Sequence, residues 1–419
     1  MMYEIQNIPQ LRFHDFKGEW EKKTLSEISS KITDGTHDTP KPTKQGVPFL
    51  TAIHIKDGFV DYNNCYFLDK EVHNSIYKRC NPEKDDLLIV NIGAGTATCA
   101  INSVDYEFSL KNVALVKPNQ DLVNGKFLAQ IQRKKSSKIF NQLTSGGAQP
   151  FLSLKEIGRL KISFPTLPEQ QKIASFLSAV DEKIQQLSRK KELLSQYKKG
   201  VMQQLFSGKL RFKDENGEDY ADWEEKKLGE VTSYKKGFAF KSKDYQNSGV
   251  RIIRVSDLLS SSIKVDNEKV FISSEKAEIY DKYKLNKGNI IITTVGSKPD
   301  MLESAVGRGI IMHNENEGLL NQNMLKFENI RGVDNRFLIN MINTKRYQYF
   351  LKDIARGNAN QANITVVDLL NYKIVMPSFL EQQKIANFLS SIDEKIESTS
   401  HQLNQTQSFK KGLLQQLFV

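Results

Sequence analysis

Asp34, His37 and Asp38 crowd into the stretch Ile32-Thr33-Asp34-Gly35-Thr36-His37-Asp38-Thr39-Pro40, with Ser26 and Ser29 just before it. Carboxylate, imidazole and hydroxyl groups are the parts of an acid–base or nucleophilic centre, but such a centre needs a geometry that spacing does not supply. The same residues suit a different task. Thr36, His37 and Thr39 offer hydrogen bonds to base edges or phosphates, and Lys41 and Lys44 can neutralise phosphates. Gly35 permits close backbone approach, and the prolines limit the loop's freedom. Loop 33–44 is therefore the first candidate for contact with a nucleic acid. Turn 93–98 and the segment Ser145-Gly146-Gly147-Ala148-Gln149 come next. In the second half of the chain the counterparts are Lys235, Lys236, Lys241, Lys243 and Tyr245, then Ser297 and Lys298, then the segment from Arg356 to Gln361. Gln149 and Gln361 match at an offset of 212 (361 − 149), either as readers or as holders of a structural turn.

Other catalytic signatures are missing. The chain has no GxxxxGK[ST] loop, no complete GxGxxG fingerprint and no HExxH. Gly93-Ala94-Gly95 lacks the third glycine and predicts a tight turn. The six histidines show no metal-ligand spacing. Asp85-Asp86 and Glu224-Glu225 are adjacent carboxylates of the solvated kind. The (D/N)PP(Y/F) signature of adenine-N6 methyltransferases is absent. The pattern is that of a recogniser with no catalytic residue and no metal site.

The bulk properties agree. A net charge of +11 in 419 residues, with a pI near 9.2, points to a polyanionic partner. Cys65, Cys80 and Cys99 are odd in number and lack CxxC spacing, as expected of reduced thiols. The N-terminus has no signal-like apolar run, and no stretch reaches the length of a membrane span. A cytoplasmic protein with no membrane partner is expected.

The elements that must position these residues repeat. PTLPEQQKIASFLSAVDEKI begins at Pro165 and PSFLEQQKIANFLSSIDEKI at Pro377, a constant offset of 212 (377 − 165) that carries on to KKGVMQQLF and KKGLLQQLF. Two copies do not make a solenoid, which needs at least about three stacked units. Ile173, Leu177, Val180, Ile184, Leu187, Leu194, Val201 and Leu205 step by fours and threes, with Lys191 and Lys198 on the same seam. Ile385, Leu389, Ile392, Ile396, Leu403, Leu413 and Leu417 do likewise, with Thr399, Thr406 and Lys410. These are heptad seams, and each predicts a helix about 60 Å long in a coiled coil. The simplest partner for one is the other, packed antiparallel, with a pseudo-two-fold relating the halves. Leu11-Arg12-Phe13 recurs as Leu210-Arg211-Phe212, and Trp20-Glu21-Lys22-Lys23 resembles Trp223-Glu224-Glu225-Lys226. Between such landmarks the halves diverge. Short β-like runs fall at 47–55, 87–92, 113–117, 251–255, 290–295 and 324–327, and helices are predicted at 126–140 and 335–351. The fold class is therefore α+β, with two mixed globular regions and two long helices.

The paired PxxxEQQKIAxFLS…DEKI…KKGxxQQLF segments, each after a variable region, resemble the specificity subunit of a type I restriction–modification system. The stretch 32–40 resembles one class of its target-recognition domains, and Lys236-Gly237-Phe238-Ala239-Phe240-Lys241-Ser242 another. The resemblance spans essentially the whole chain. It implies target-recognition domains at 1–164 and, with a linker, 207–376, and spacer helices at 165–206 and 377–419. It further implies a bipartite, asymmetric site in double-stranded DNA, read without chemistry by this chain. Two methylation subunits would dock on the helices with S-adenosylmethionine, and two restriction subunits would add ATP- and Mg2+-dependent translocation and cleavage. A related system with a fused methylase–nuclease effector, or a coiled-coil scaffold that binds no DNA, are the alternatives.

Overall fold

The structure, a computed structural model, describes residues 7–144, 150–259, 261–299, 305–329, 332–357 and 361–419. It divides into two compact units, Met1–Lys190 with Thr399–Val419, and Lys191–Ser398. The long helices Leu167–Phe206 and Phe379–Gln416 each contribute a segment to both units.

In the first unit, strands Ser29–Asp34, Val113–Pro118, Leu87–Val90 and Cys99–Ile101 form an antiparallel sheet in that order. Leu87–Val90 is buried throughout, because both faces of the sheet are covered. Leu87, Ile89, Ala114 and Val116 face a core shared with Phe127, Leu128 and Ile131 of the helix Gly125–Thr144. Leu88, Val90, Val113 and Leu115 face another core, with Leu50 and Leu110 from a three-stranded sheet of Tyr66–Leu68, Val47–Thr51 and Ser109–Lys111. The period-2 alternation of a strand assigns these side chains to their cores.

The second unit is built on the same plan. Strands Thr232–Lys236, Met324–Asn329, Ile290–Thr293 and Gly309–Ile311 form its antiparallel sheet. Ile290, Ile292, Leu325 and Phe327 point into one core, and Ile291 and Met324 into another. Here the single helix predicted over 335–351 is two, Asn335–Met341 and Lys345–Ile354. Thr344 breaks it: its hydroxyl accepts from Tyr347 N, so it caps a new helix instead of extending the old one.

The seam residues lie inward. In the first unit Ile173, Leu177 and Leu187 are buried and Val180 and Ile184 half-buried. Ile173 and Leu177 share a core with Leu413, Leu417 and Phe418, and Lys410 bonds the Asp181 carboxylate. In the second, Ile385, Leu389 and Ile392 are buried with Val201 and Leu205, Ile396 packs at the margin, and Lys198 bonds Asp393 at 2.6 Å. Within each unit the two helical segments thus run antiparallel, and Lys198 and Lys410 are accommodated by equivalent aspartates.

The repeated motifs find one another. Arg12 makes a fork to Glu169 at 2.8 and 2.7 Å, and Arg211 does the same to Glu381 at 3.2 and 2.8 Å. Gln170 donates to the Pro165 and Leu122 carbonyls and accepts from Asn124 N. Gln382 donates to Pro377 and Gly332 and accepts from Asp334 N. The Glu-Gln pair that heads each helix therefore ties the globular region to it.

Candidate nucleic-acid interface

Loop 33–44 leaves the end of strand Ser29–Asp34 through Gly35. Gly35 N donates to Val113 O at 3.0 Å and Thr36 N to Leu110 O at 2.8 Å. A β-carbon on Gly35 would stand 2.0 Å from Leu110 O, so the close approach requires glycine. Gly237 makes the same exit in the second unit. Its N–H donates to Met324 O at 2.9 Å, Phe238 N donates to Leu320 O at 3.0 Å, and a β-carbon would stand 1.8 Å from Asn321 O. The two units thus launch unlike loops from one backbone device.

Past Gly35 the loop becomes polar and exposed. His37 bonds the largely buried Asp34 carboxylate through Nε2 at 2.9 Å, and its Nδ1 lies 3.4 Å from Asn112 Oδ1. Asp34 also meets Arg79 at 3.3 Å, and the Arg79 guanidinium donates to Gly35 O at 2.6 Å. Thr36 Oγ1 accepts from Asp38 N, and Thr39 Oγ1 accepts from Lys111 Nζ. Lys41 and Lys44 are exposed beyond them. The carboxylate orients the imidazole, but Ser26 and Ser29 do not join this cluster: Ser26 Oγ sits against Gly158. The geometry is that of a braced, solvent-facing loop.

The cluster contains residues that sequence reasoning did not select. Arg79 is 44 positions from Gly35 and Asn112 is 75 from His37, so no local pattern announced them. One signal was available. Asn112 and Asn323, each immediately before its long central strand, both adopt left-handed backbone, at φ 57° and 67°. A repeated asparagine at that position is the residue such a backbone favours.

Turn 93–98 forms as expected, with Gly93 at φ 102° and Thr96 N donating to Gly93 O. Gly93 N donates to Pro150 O, which sets the turn beside the chain following 145–149; that segment, with Gln149, lies outside the described residues. In the second unit Val295–Gly296, Ala362–Asn363 and Arg356–Gly357 pair in a three-stranded sheet. This brings the turn carrying Ser297 and exposed Lys298 next to Arg356 and Gln361. Arg356 bonds Asp368 at 3.1 Å; positions 358–360 lie outside the described residues. Lys236, Lys241 and Lys243 are exposed. Lys235 is half-buried and paired with Glu328 at 3.0 Å. Tyr245 turns inward against the Phe240 core, its hydroxyl donating to Phe240 O.

The thiols of Cys80 and Cys99 are buried, and burial pushes both up to about 12, so neither supplies a nucleophile at neutral pH. Among the described residues no cluster of three or more His, Cys, Asp or Glu is placed to hold a metal ion. No described helix is long and apolar enough to cross a membrane.

Comparison with known proteins agrees with this architecture. The chain is 26% identical over 389 residues to the type I restriction enzyme MjaVIII specificity subunit of Methanocaldococcus jannaschii, covering 90% of this chain and 89% of that one. It is 20% identical to the type I restriction enzyme StySPI specificity subunit of Salmonella potsdam, covering 88% and 80%. The fold matches the crystal structure of the type I restriction–modification S subunit from M. genitalium, with a TM-score of 0.62 at 17% identity over 98% and 99% of the two chains. The profile described as the type I restriction modification DNA specificity domain matches twice, over residues 17–196 and 220–407. The chain therefore belongs to the type I restriction–modification specificity-subunit family and carries its DNA specificity domain in duplicate.

Proposed function

We propose that this chain is the non-catalytic DNA-reading subunit of a cytoplasmic type I restriction–modification complex, and that its two globular regions, 1–164 and 207–376, each read one half of a split, asymmetric site. The observation that carries this is the shared exit at Gly35 and Gly237: one sheet frame, one backbone device, and loops of different chemistry beyond it. Unlike loops on a common frame give two specificities on one scaffold. The helices 165–206 and 377–419 act as the spacer that fixes the unread gap. Two methylation subunits bring S-adenosylmethionine and hold the target base out of its stack beside the reader. Two restriction subunits add ATP- and Mg2+-dependent cleavage. In this account the chain decides where adenine is methylated and which unmodified DNA is cut.

The test is a binding titration of the chain assembled with its methylation subunits, on duplexes with split and uninterrupted sites, across a range of salt. Neutralising several phosphates gives a log–log salt slope of several units. A slope near zero, or preference for a single uninterrupted site, would sink the proposal.

A further inference from the structure

A cavity of about 880 Å³ opens within the second unit. Its walls are residues 195–206 of the first long helix with Ser207 just past its end, the break between helices Asn335–Met341 and Lys345–Ile354, and strand Lys373–Met376. Lys198, Lys199, Arg308, Lys345, Arg346 and Lys373 line it, and none of its lining residues is acidic. Lys198 bonds Asp393 at 2.6 Å, Lys373 bonds Glu225 at 2.7 Å, and Glu225 also feels the charge of Arg346. Lys199, Lys345 and Arg346 are exposed. Arg308 is half-buried, and burial pulls its pKa below the ordinary arginine value. An anion entering the cavity would offset that cost.

The first unit has a cavity beside the equivalent backbone turn, walled by different elements. The match is set by the backbone. Ala97 and Gly307 are left-handed, at φ 73° and 76°, and each donates back to the central strand, to Val90 O and Thr293 O. Each carbonyl accepts from the neighbouring helix, from Ser136 Oγ at 2.7 Å and Tyr347 Oη at 2.8 Å. The next residue is Thr98 in one unit and Arg308 in the other. The first unit's cavity is about 420 Å³, and its arginine, Arg133, is committed to Asp57 at 2.7 Å and Asp181 at 2.9 Å. Lys134, Lys135 and Lys161 stand in the first unit where Lys345, Arg346 and Lys373 stand in the second, but they do not line this smaller cavity.

The cavity adjoins a candidate reading segment. Arg308 O accepts from Thr293 N, at the end of the strand that leads into the turn bearing Lys298. Its lining also offers Asn343, Thr344 and Gln348, side chains that suit phosphate oxygens. We infer that this cavity seats a phosphodiester stretch of the DNA held by the second unit, as a sequence-independent anchor. The inference rests on the DNA-reading role proposed above.

The test uses the full chain assembled with its methylation subunits and the triple variant Lys199→Gln, Lys345→Gln, Arg346→Gln, whose sites are all exposed. Binding to a cognate duplex and a random duplex is measured over a range of salt. Affinity for both duplexes should fall at least about tenfold at low salt, and the slope should drop by about 0.9 for each phosphate that is no longer neutralised. The methylated sequence should stay the same. An unchanged slope on both duplexes would overturn the inference. So would failure to assemble with the methylation subunits when the remaining complex keeps its slope, since the cavity would then be a protein-docking surface. Failure of the unsubstituted complex to prefer a split site would instead refute the parent reading, and this anchor with it.

Discussion

At the residue scale, loop 33–44 has a braced part and an exposed part. Lys41 and Lys44 are exposed beyond the braced part of the loop. If each meets a phosphate, Lys41→Ala and Lys44→Ala weaken binding to all sequences and lower the salt slope by about one unit each. Thr36→Ala or His37→Ala should cost about 1–3 kcal/mol on the cognate site and less on random DNA. Affinity measurements on both duplexes check this, and unchanged values for all four variants in a folded complex would move the reader to turn 93–98. The sequence supplied the loop's hydrogen-bonding residues because glycine, threonine, histidine and lysine declare their chemistry locally. It did not supply Arg79, Asn112 or Lys111, because the groups that brace the loop come from distant strands and turns. Nor could it show that Tyr245 faces a core, which depends on where Phe240 packs.

At the element scale, the long helices were legible and their fastening was not. The heptad steps gave the seams, and the residues on them are largely buried. The repeated Leu-Arg-Phe and Glu-Gln-Gln motifs were visible as repeats, but only the fold shows that Arg12 meets Glu169 and Arg211 meets Glu381. Those glutamates are almost fully buried, so each motif owes its form to structural demands. Glu169→Ala would leave the Arg12 guanidinium, on a side chain only 14% exposed, without its carboxylate partner and with only the Gly18 and Lys17 carbonyls. A loss of about 3 kcal/mol is expected in a denaturant melt, and a loss below about 1 kcal/mol would mean the pair does not fasten the first region. The break at Thr344 was missed because the apolar period continues across it, and a single hydroxyl decides the matter. The ruler proposal also belongs to this scale. Four residues inserted near Ser188, with four more near Ser400, lengthen each helix by about 6 Å, nearly two base-pair steps. The unread gap in the methylation pattern should change while both half-sites persist; an unchanged gap would show that the helices do not set it.

At the scale of the whole molecule, the duplication is the organising fact. Both units order their central sheet alike, cover it on both faces and leave it at an equivalent glycine. What differs lies at the ends of the strands, where loop 33–44 and the Lys236–Phe240 region carry different side chains. Such a molecule should be modular. Residues 20–160 can be replaced by the equivalent region of a relative with a different recognition sequence, and the hybrid expressed with its methylation subunits. Sequencing the methylated adenines across the host genome then reads both half-sites at once. The account predicts a split site in which one half changes and the other half stays as before. A change in both halves, or an uninterrupted site, would contradict independent reading by the two units.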